Sequence, residues 1–181
     1  YLCDDSNIIP SVAWETNLNG SFLYAVLSSN RNVLIIHSVE INTSSLTILD
    51  IETGQTKNTK LLCGVKKVIM CITIDNSILI VHESGIIRLD EQNLTEIWNI
   101  STPIILSTIL IPNYQGEAAV AVAYANNVSI YAISNGSKLG TYNVNGETVA
   151  MALGHEPEAI YILTKQNTQI LWPNGTSKII Q

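Results

Sequence analysis

The chain has 181 residues, of which 46% are hydrophobic and 13% charged, so it is long enough to bury a core and too apolar to stay disordered. Its net charge is −6, with nine Lys and Arg and no basic run beyond Lys66-Lys67. That balance argues against nucleic-acid binding, which leans on phosphate contacts, and against electrostatic docking on an anionic membrane. No apolar stretch reaches the roughly 18 to 20 residues of a membrane-spanning helix; the longest, Pro103 to Pro112, is strand-sized.

In chain order, Tyr1 to Asp4 (YLCD) reads as a strand ending, like TILD at Thr47–Asp50 and RLD at Arg88–Asp90. Trp14 stands 84 positions before Trp98, two periods of 42. Residues 1–18 therefore read as the outer half of a repeat unit. Whole units follow at 19–62, 63–102, 103–145 and 146–181. The first holds strands at Phe22–Ser28, Val33–Val39, Leu46–Asp50 and Thr56–Leu62. The second holds Lys67–Ile74, Ser77–His82, Ile86–Asp90 and Thr95–Ile100. The third holds Ile104–Ile111, Ala118–Ala125, Val128–Ile133 and Lys138–Val144. The fourth holds Thr148–Leu153, Ala159–Thr164, Thr168–Leu171 and Ser177–Ile180. The β-branched residues of these runs suit pleated surfaces, and the Asn-Gly, Asp-Asn and Asn-Asn pairs between them supply tight turns.

The turn residues Gly54, Asn93, Gly136 and Gly175 lie 39, 43 and 39 positions apart. A period near 40 with four strands per unit predicts an all-β protein, a β-propeller of four-stranded antiparallel blades. About four and a half blades are visible. A propeller protects its strand edges by closing radially, so the run is expected to be part of a larger ring. Turn residues recur too often for sustained helical periodicity. Only Met151 to Ala159 could hold a helical turn, against Gly154 and Pro157.

The segments LDIETG (Leu49–Gly54) and LTEIWNI (Leu94–Ile100) resemble the quinoprotein-like, or PQQ-like, β-propeller repeat. That repeat reads as an apolar strand, Leu-Asp, a Thr-Gly turn and a strand bearing Trp. Leu49, Asp50, Thr53 and Gly54 match it, as do Leu89, Asp90 and Trp98; Tyr131, Ala132, Ile133 and Gly136 match more loosely. The resemblance implies the fold and makes Trp14 and Trp98 inter-blade packing residues. Lys57 or a neighbour, and Tyr142, stand near that position in other blades. Enzymes of the family bind a quinone and calcium; the groups that do so have no counterpart identified in this sequence, and no cofactor is expected. Other members are scaffolds, among them bacterial outer-membrane assembly lipoproteins and lumenal propellers of endoplasmic-reticulum membrane complexes. The Trp-Asp dipeptide of WD40 repeats is absent.

Seven N-x-S/T sequons occur, at Asn19, Asn42, Asn93, Asn99, Asn127, Asn135 and Asn174. Six fall in predicted turns or loops, where a glycan is tolerated. Asn, Gly and Ser are also turn residues in their own right, so the sequons can arise as a by-product. Cys3 aligns with core positions and Cys71 lies inside an apolar strand, which suits free buried thiols. A Cys63–Cys71 disulfide is the alternative, and it leaves Cys3 unpaired within this chain.

His37 and His82 close equivalent second strands, with Tyr124 and Thr164 as their counterparts. They could converge on a ligand in the central channel, but a metal site needs three or four ligands, and duplicated strand ends are the simpler reading. His155, beside Glu156 and Glu158, is the best isolated acid–base candidate, against the reading of a solvated loop.

These observations predict a non-catalytic protein-binding or assembly scaffold on the extracytoplasmic side of a membrane: extracellular, at the cell surface or in the endoplasmic-reticulum lumen. The expected partners are other protein subunits or remaining propeller blades. The alternatives are a fragment of a quinone-dependent dehydrogenase-type enzyme and a cytosolic trafficking or coat-complex propeller.

Overall fold

The computed structural model describes residues 14–154 and 159–180. Its regular elements are sixteen strands in four antiparallel sheets of four, each formed by consecutive strands. Blade 1 comprises β1 (Ser21–Leu27), β2 (Asn32–Glu40), β3 (Thr43–Asp50) and β4 (Thr56–Cys63). Blade 2 comprises β5 (Val68–Ile74), β6 (Ser77–His82), β7 (Gly85–Asp90) and β8 (Glu96–Ser101). Blade 3 comprises β9 (Ser107–Tyr114), β10 (Glu117–Ala123), β11 (Asn127–Ala132) and β12 (Lys138–Asn143). Blade 4 comprises β13 (Thr148–Leu153), β14 (Ile160–Thr164), β15 (Thr168–Leu171) and β16 (Ser177–Ile180). The architecture is that of a β-propeller. The strand ending at Tyr1–Asp4, Cys3 and the group His155, Glu156 and Glu158 lie outside the described residues.

The second and third strands are the most buried of each blade, and in blades 2 and 3 both of their faces are covered by neighbouring blades. Alternation decides which neighbour. Leu34 and Ile36 of β2 join Ile78 and Ile80 of β6 in one core cluster. Leu79 and Val81, the intervening residues of β6, join Val120 and Val122 of β10 in a second. Ala119, Ala121 and Ala123 of β10 join Ile160 and Ile162 of β14 in a third. The cores therefore lie between blades. The innermost strands touch in chain order, β1 with β5, β5 with β9 and β9 with β13.

The third-to-fourth-strand turns of blades 1 and 2 share one construction. Asp50 Oδ1 accepts the amides of Glu52 and Thr53 at 2.9 Å each, and Asp90 Oδ1 those of Gln92 and Asn93 at 3.0 Å. This is the physical content of the Leu-Asp signature: the carboxylate supplies acceptors that the bending backbone lacks. Lys57, with the turn amides behind it, holds the Asp50 carboxyl well below the usual carboxylate range.

One expectation and one alternative are corrected. The residue that takes positive φ in the blade 2 turn is Leu94 (φ 57°), so the equivalents of Gly54, Gly136 and Gly175 are spaced 40, 42 and 39 positions apart. The Cys63–Cys71 disulfide is not formed. Cys63 ends β4 on the surface, Cys71 sits in the middle of β5 facing the core, and both thiols are free. Burial pushes the Cys71 thiol up to about 12, so it is an inert core residue.

Candidate functional site

The structure concentrates its polar chemistry at the blade junctions and at the two ends of the blades. One end carries the first-to-second and third-to-fourth strand turns (the turn end). The other carries the second-to-third hairpins and the links between blades (the linker end).

At the junction of blades 2 and 3, the Trp98 indole N–H donates to the carbonyl of Ile133 at 3.0 Å. The Arg88 guanidinium, opposite Trp98 in the sheet, donates to Ile133 O at 2.7 Å and Ser134 O at 3.1 Å. The ring lies over Gly136, where an added Cβ would sit 3.0 Å from the indole. Trp14 repeats the arrangement on blade 1, donating to Ile51 O at 2.8 Å and covering Gly54.

At the junction of blades 3 and 4, Gly140 holds the register position of Trp98, and Tyr142, two residues on, folds over it. The Tyr142 hydroxyl bonds that of Tyr114, which also reaches Pro173 O at 3.4 Å.

The junction of blades 1 and 2 is built differently. Asn58 holds the Trp position and donates to Gln92 O at 3.2 Å, while Lys60 donates to Leu94 O at 2.8 Å. Lys57 is not at that position; it pairs with Asp50 at 2.8 Å. Leu94, at the positive-φ position that glycine takes in the ring-covered turns, is buried in the core cluster shared by blades 1 and 2. Beside it the buried Glu91 carboxylate accepts from the Ser28 hydroxyl and, at 2.9 Å each, from the side-chain amides of Asn30 and Asn32. Sequence reasoning missed this group. No spacing rule links the β1–β2 turn to a residue about 60 positions away.

The equivalence of His37, His82, Tyr124 and Thr164 is visible in the register: their third-strand partners Ser45, Gly85, Asn127 and Asn167 are themselves equivalent. All four are buried, and each is bonded locally. His37 Nδ1 contacts Asn19 O at 2.7 Å, Ser84 Oγ lies 3.4 Å from His82 Nδ1, and the Tyr124 and Tyr131 hydroxyls are 3.2 Å apart. Thr164 Oγ1 donates to Asn167 O at 2.9 Å. Burial, then the bond to Tyr131, raises the Tyr124 phenol above its ordinary value.

His82 also lines a cavity of about 220 Å³ with Cys63, Ser84, Asn99 and Ser101. Burial lowers the His82 imidazole, opposed by the charge of Glu83, and so favours a neutral ring. Among the described residues no group of three His, Cys, Asp or Glu could hold a metal ion.

Six of the seven sequon asparagines are exposed and Asn127 is half-buried. Asn93, Asn135 and Asn174 occupy the same position in three consecutive turns at the turn end. The side-chain oxygen of each accepts the amide of its own sequon Thr or Ser, at 2.8, 2.8 and 2.9 Å. Asn19, Asn42 and Asn127 lie at the linker end, and Asn99 lies on β8.

The linker end also bears apolar residues in the open. The β2–β3 hairpin is nine and eight residues long against six and six for β6–β7, and Ile41 at its tip is 92% exposed. Ile104 in the link between blades 2 and 3 is 70% exposed.

No protein-family model matches the chain, and no curated protein matches it. Solved structures do. BamB from Moraxella catarrhalis is similar over 93% of this chain and 52% of its own, with a TM-score of 0.69 at 12% identity. The Pan2 WD40 domain of Neurospora crassa is similar over 90% and 50%, with a TM-score of 0.64 at 11% identity. The computationally designed Ika8 protein is similar over 87% and 45%, with a TM-score of 0.58 at 16% identity. The chain spans about half the length of each. At such identities the likeness shows the fold.

Proposed function

We propose that this chain is a protein-binding scaffold, part of a larger propeller ring, working as a glycoprotein on the extracytoplasmic side of a membrane. The observation that carries the binding role is the linker end. There the long β2–β3 hairpin presents Ile41, and the link between blades 2 and 3 presents Ile104, in the open on a frame of packed blades. Exposed aliphatic residues on rigid supports gain free energy when a partner covers them and lose little entropy in doing so. The likeness to BamB and to WD40 domains is compatible with this role through the fold they share. The compartment rests on the seven sequons, six of them at exposed residues.

The test has two parts. Intact mass of the protein secreted from eukaryotic cells, before and after glycosidase, reports glycan occupancy; an unchanged mass sinks the compartment assignment. Affinity purification then compares the wild type with an Ile41→Asp, Ile104→Asp double variant of equal thermal stability. A partner lost with the variant supports the linker end as the binding face, and one retained removes it.

A further inference from the structure

The inter-blade faces of the described blades follow a common rule. The face that each blade turns to its successor is built from two cross-strand rows. In blade 2 they are Leu79–Arg88–Trp98 and Val81–Ile86–Ile100. In blade 4 they are Tyr161–Ile170–Lys178 and Leu163–Thr168–Ile180. The second-strand members are Leu34 and Ile36 in blade 1, Leu79 and Val81 in blade 2, and Ala121 and Ala123 in blade 3, all buried to 1% exposure or less. Their counterparts Tyr161 and Leu163 in blade 4 are 37% and 48% exposed, and Ile180 at the outer edge is 41% exposed. An apolar face that is closed three times in one chain stands open the fourth time.

What closes it is constrained by the receiving side. In all three junctions the next blade presents two β-branched residues two apart on its second strand: Ile78 and Ile80, Val120 and Val122, Ile160 and Ile162. The outer edge obeys a second condition. Where the giving blade supplies an aromatic ring (Trp14, Trp98, Tyr142), the residue of positive φ in the receiving turn is Gly54, Gly136 or Gly175. Where it supplies Asn58 and Lys60, that residue is Leu94, whose side chain is buried between the two blades. Blade 4 supplies Lys178 and Ile180, with no ring.

Resting on the reading of a larger ring, we infer that the open face of blade 4 docks a further four-stranded blade of the blade 2 kind. Its second strand carries two β-branched residues at i and i+2, its third-to-fourth turn carries an aliphatic residue at the positive-φ position, and a carbonyl of that turn accepts from Lys178. Blade 1 does not meet these conditions, whether from this chain or from a second copy. Its turn carries Gly54, and the space over that glycine is already filled by Trp14.

The experiment uses the protein made from its complete coding sequence, as a dilute monomer. Hydroxyl-radical footprinting compares Tyr161 and Leu163 with Leu79. Protection of all three within about twofold is expected. Tyr161 and Leu163 protected at least tenfold less than Leu79, each rate taken relative to the intrinsic reactivity of its side chain, overturns the docking surface and the larger ring together, and protection that appears only at dimer-forming concentrations replaces the blade with a second copy. Lys178→Trp then tests the junction by itself, with Lys178→Gln as the control for loss of charge. Trp is expected to lower the melting temperature while Gln leaves it nearly unchanged, because a ring collides with the aliphatic turn residue. A Trp variant as stable as wild type, with the face still protected, overturns the aliphatic turn and leaves the ring standing.

Discussion

The junction between blades 1 and 2 and the junction between blades 2 and 3 solve one problem with different chemistry. Each must join two sheets whose apolar middles are interchangeable runs of Ile, Leu and Val. At the second, a Trp98 ring covers a glycine and, with Arg88, donates to carbonyls of the next turn. At the first, the turn keeps a side chain of its own, Leu94, and the blades are tied by donors around the buried Glu91. The apolar contacts supply area, and the edge chemistry decides which blade can follow which. Alternating repeats would otherwise accept one another in the wrong order.

The comparison breaks first at the glycine. Gly136→Leu combines a left-handed backbone position (φ 73°) with a Cβ 3.0 Å from the Trp98 ring. Strain and overpacking together are expected to cost about 4 kcal/mol. Chemical denaturation with an unchanged m-value measures it. A cost below about 1 kcal/mol would show that Trp98 swings aside freely and that the ring–glycine match is not a constraint.

The first junction can be converted into the second. Asn58→Trp alone meets Leu94, and Leu94→Gly alone leaves a hole where a buried aliphatic stood. Each is expected to destabilise by about 2 to 3 kcal/mol. The double variant is expected to recover most of that loss, a coupling of about 2 kcal/mol or more in a double-mutant cycle. Strict additivity would mean that the two positions do not share the space assigned to them.

Glu91→Gln sharpens the polar side of the comparison. The carboxylate accepts from three neutral donors, Ser28, Asn30 and Asn32. A Gln amide turns an N–H₂ toward at least one of them and removes the charge that strengthens the rest. The expected loss is about 2 kcal/mol, close to the worth of charge-assisted hydrogen bonds. The measured quantity is the unfolding free energy at pH 7, and a neutral result would leave the Leu94 contact as the main tie between these blades.

The repeat was legible because its signals are local. Turn pairs such as Asn126-Asn127 and Asn145-Gly146, and the Asp that caps each of the first two third-to-fourth turns, need only the residues around them. The predicted strands accordingly fall close to the observed ones. The blade 2 turn was misread by one residue for a physical reason. Asn is the ordinary side chain for a left-handed position, and Leu94 holds it only because its side chain is buried between blades. The Glu91 cluster was illegible because its donors come from a turn about 60 residues earlier, brought near by the stacking of blades and by no periodicity within one.

The smallest effect lies at the linker end of the first junction. Burial holds the His82 imidazole below its ordinary value of 6.5, with the Glu83 charge opposing. The unfolded chain therefore takes up a proton at higher pH than the folded one. The stability that neutral His82 contributes is complete above pH 6.5 and falls as pH drops below it, because protonation then favours the unfolded state. Urea midpoints at about pH 7.5 and 5.5 should show the wild type weakening toward acid, and His82→Asn should flatten part of that slope. An identical slope in the variant would place the acid sensitivity elsewhere. The two ends of the blade 1–2 junction would then differ in kind, with Glu91 holding one end and His82 acting at the other only as a space-filling ring.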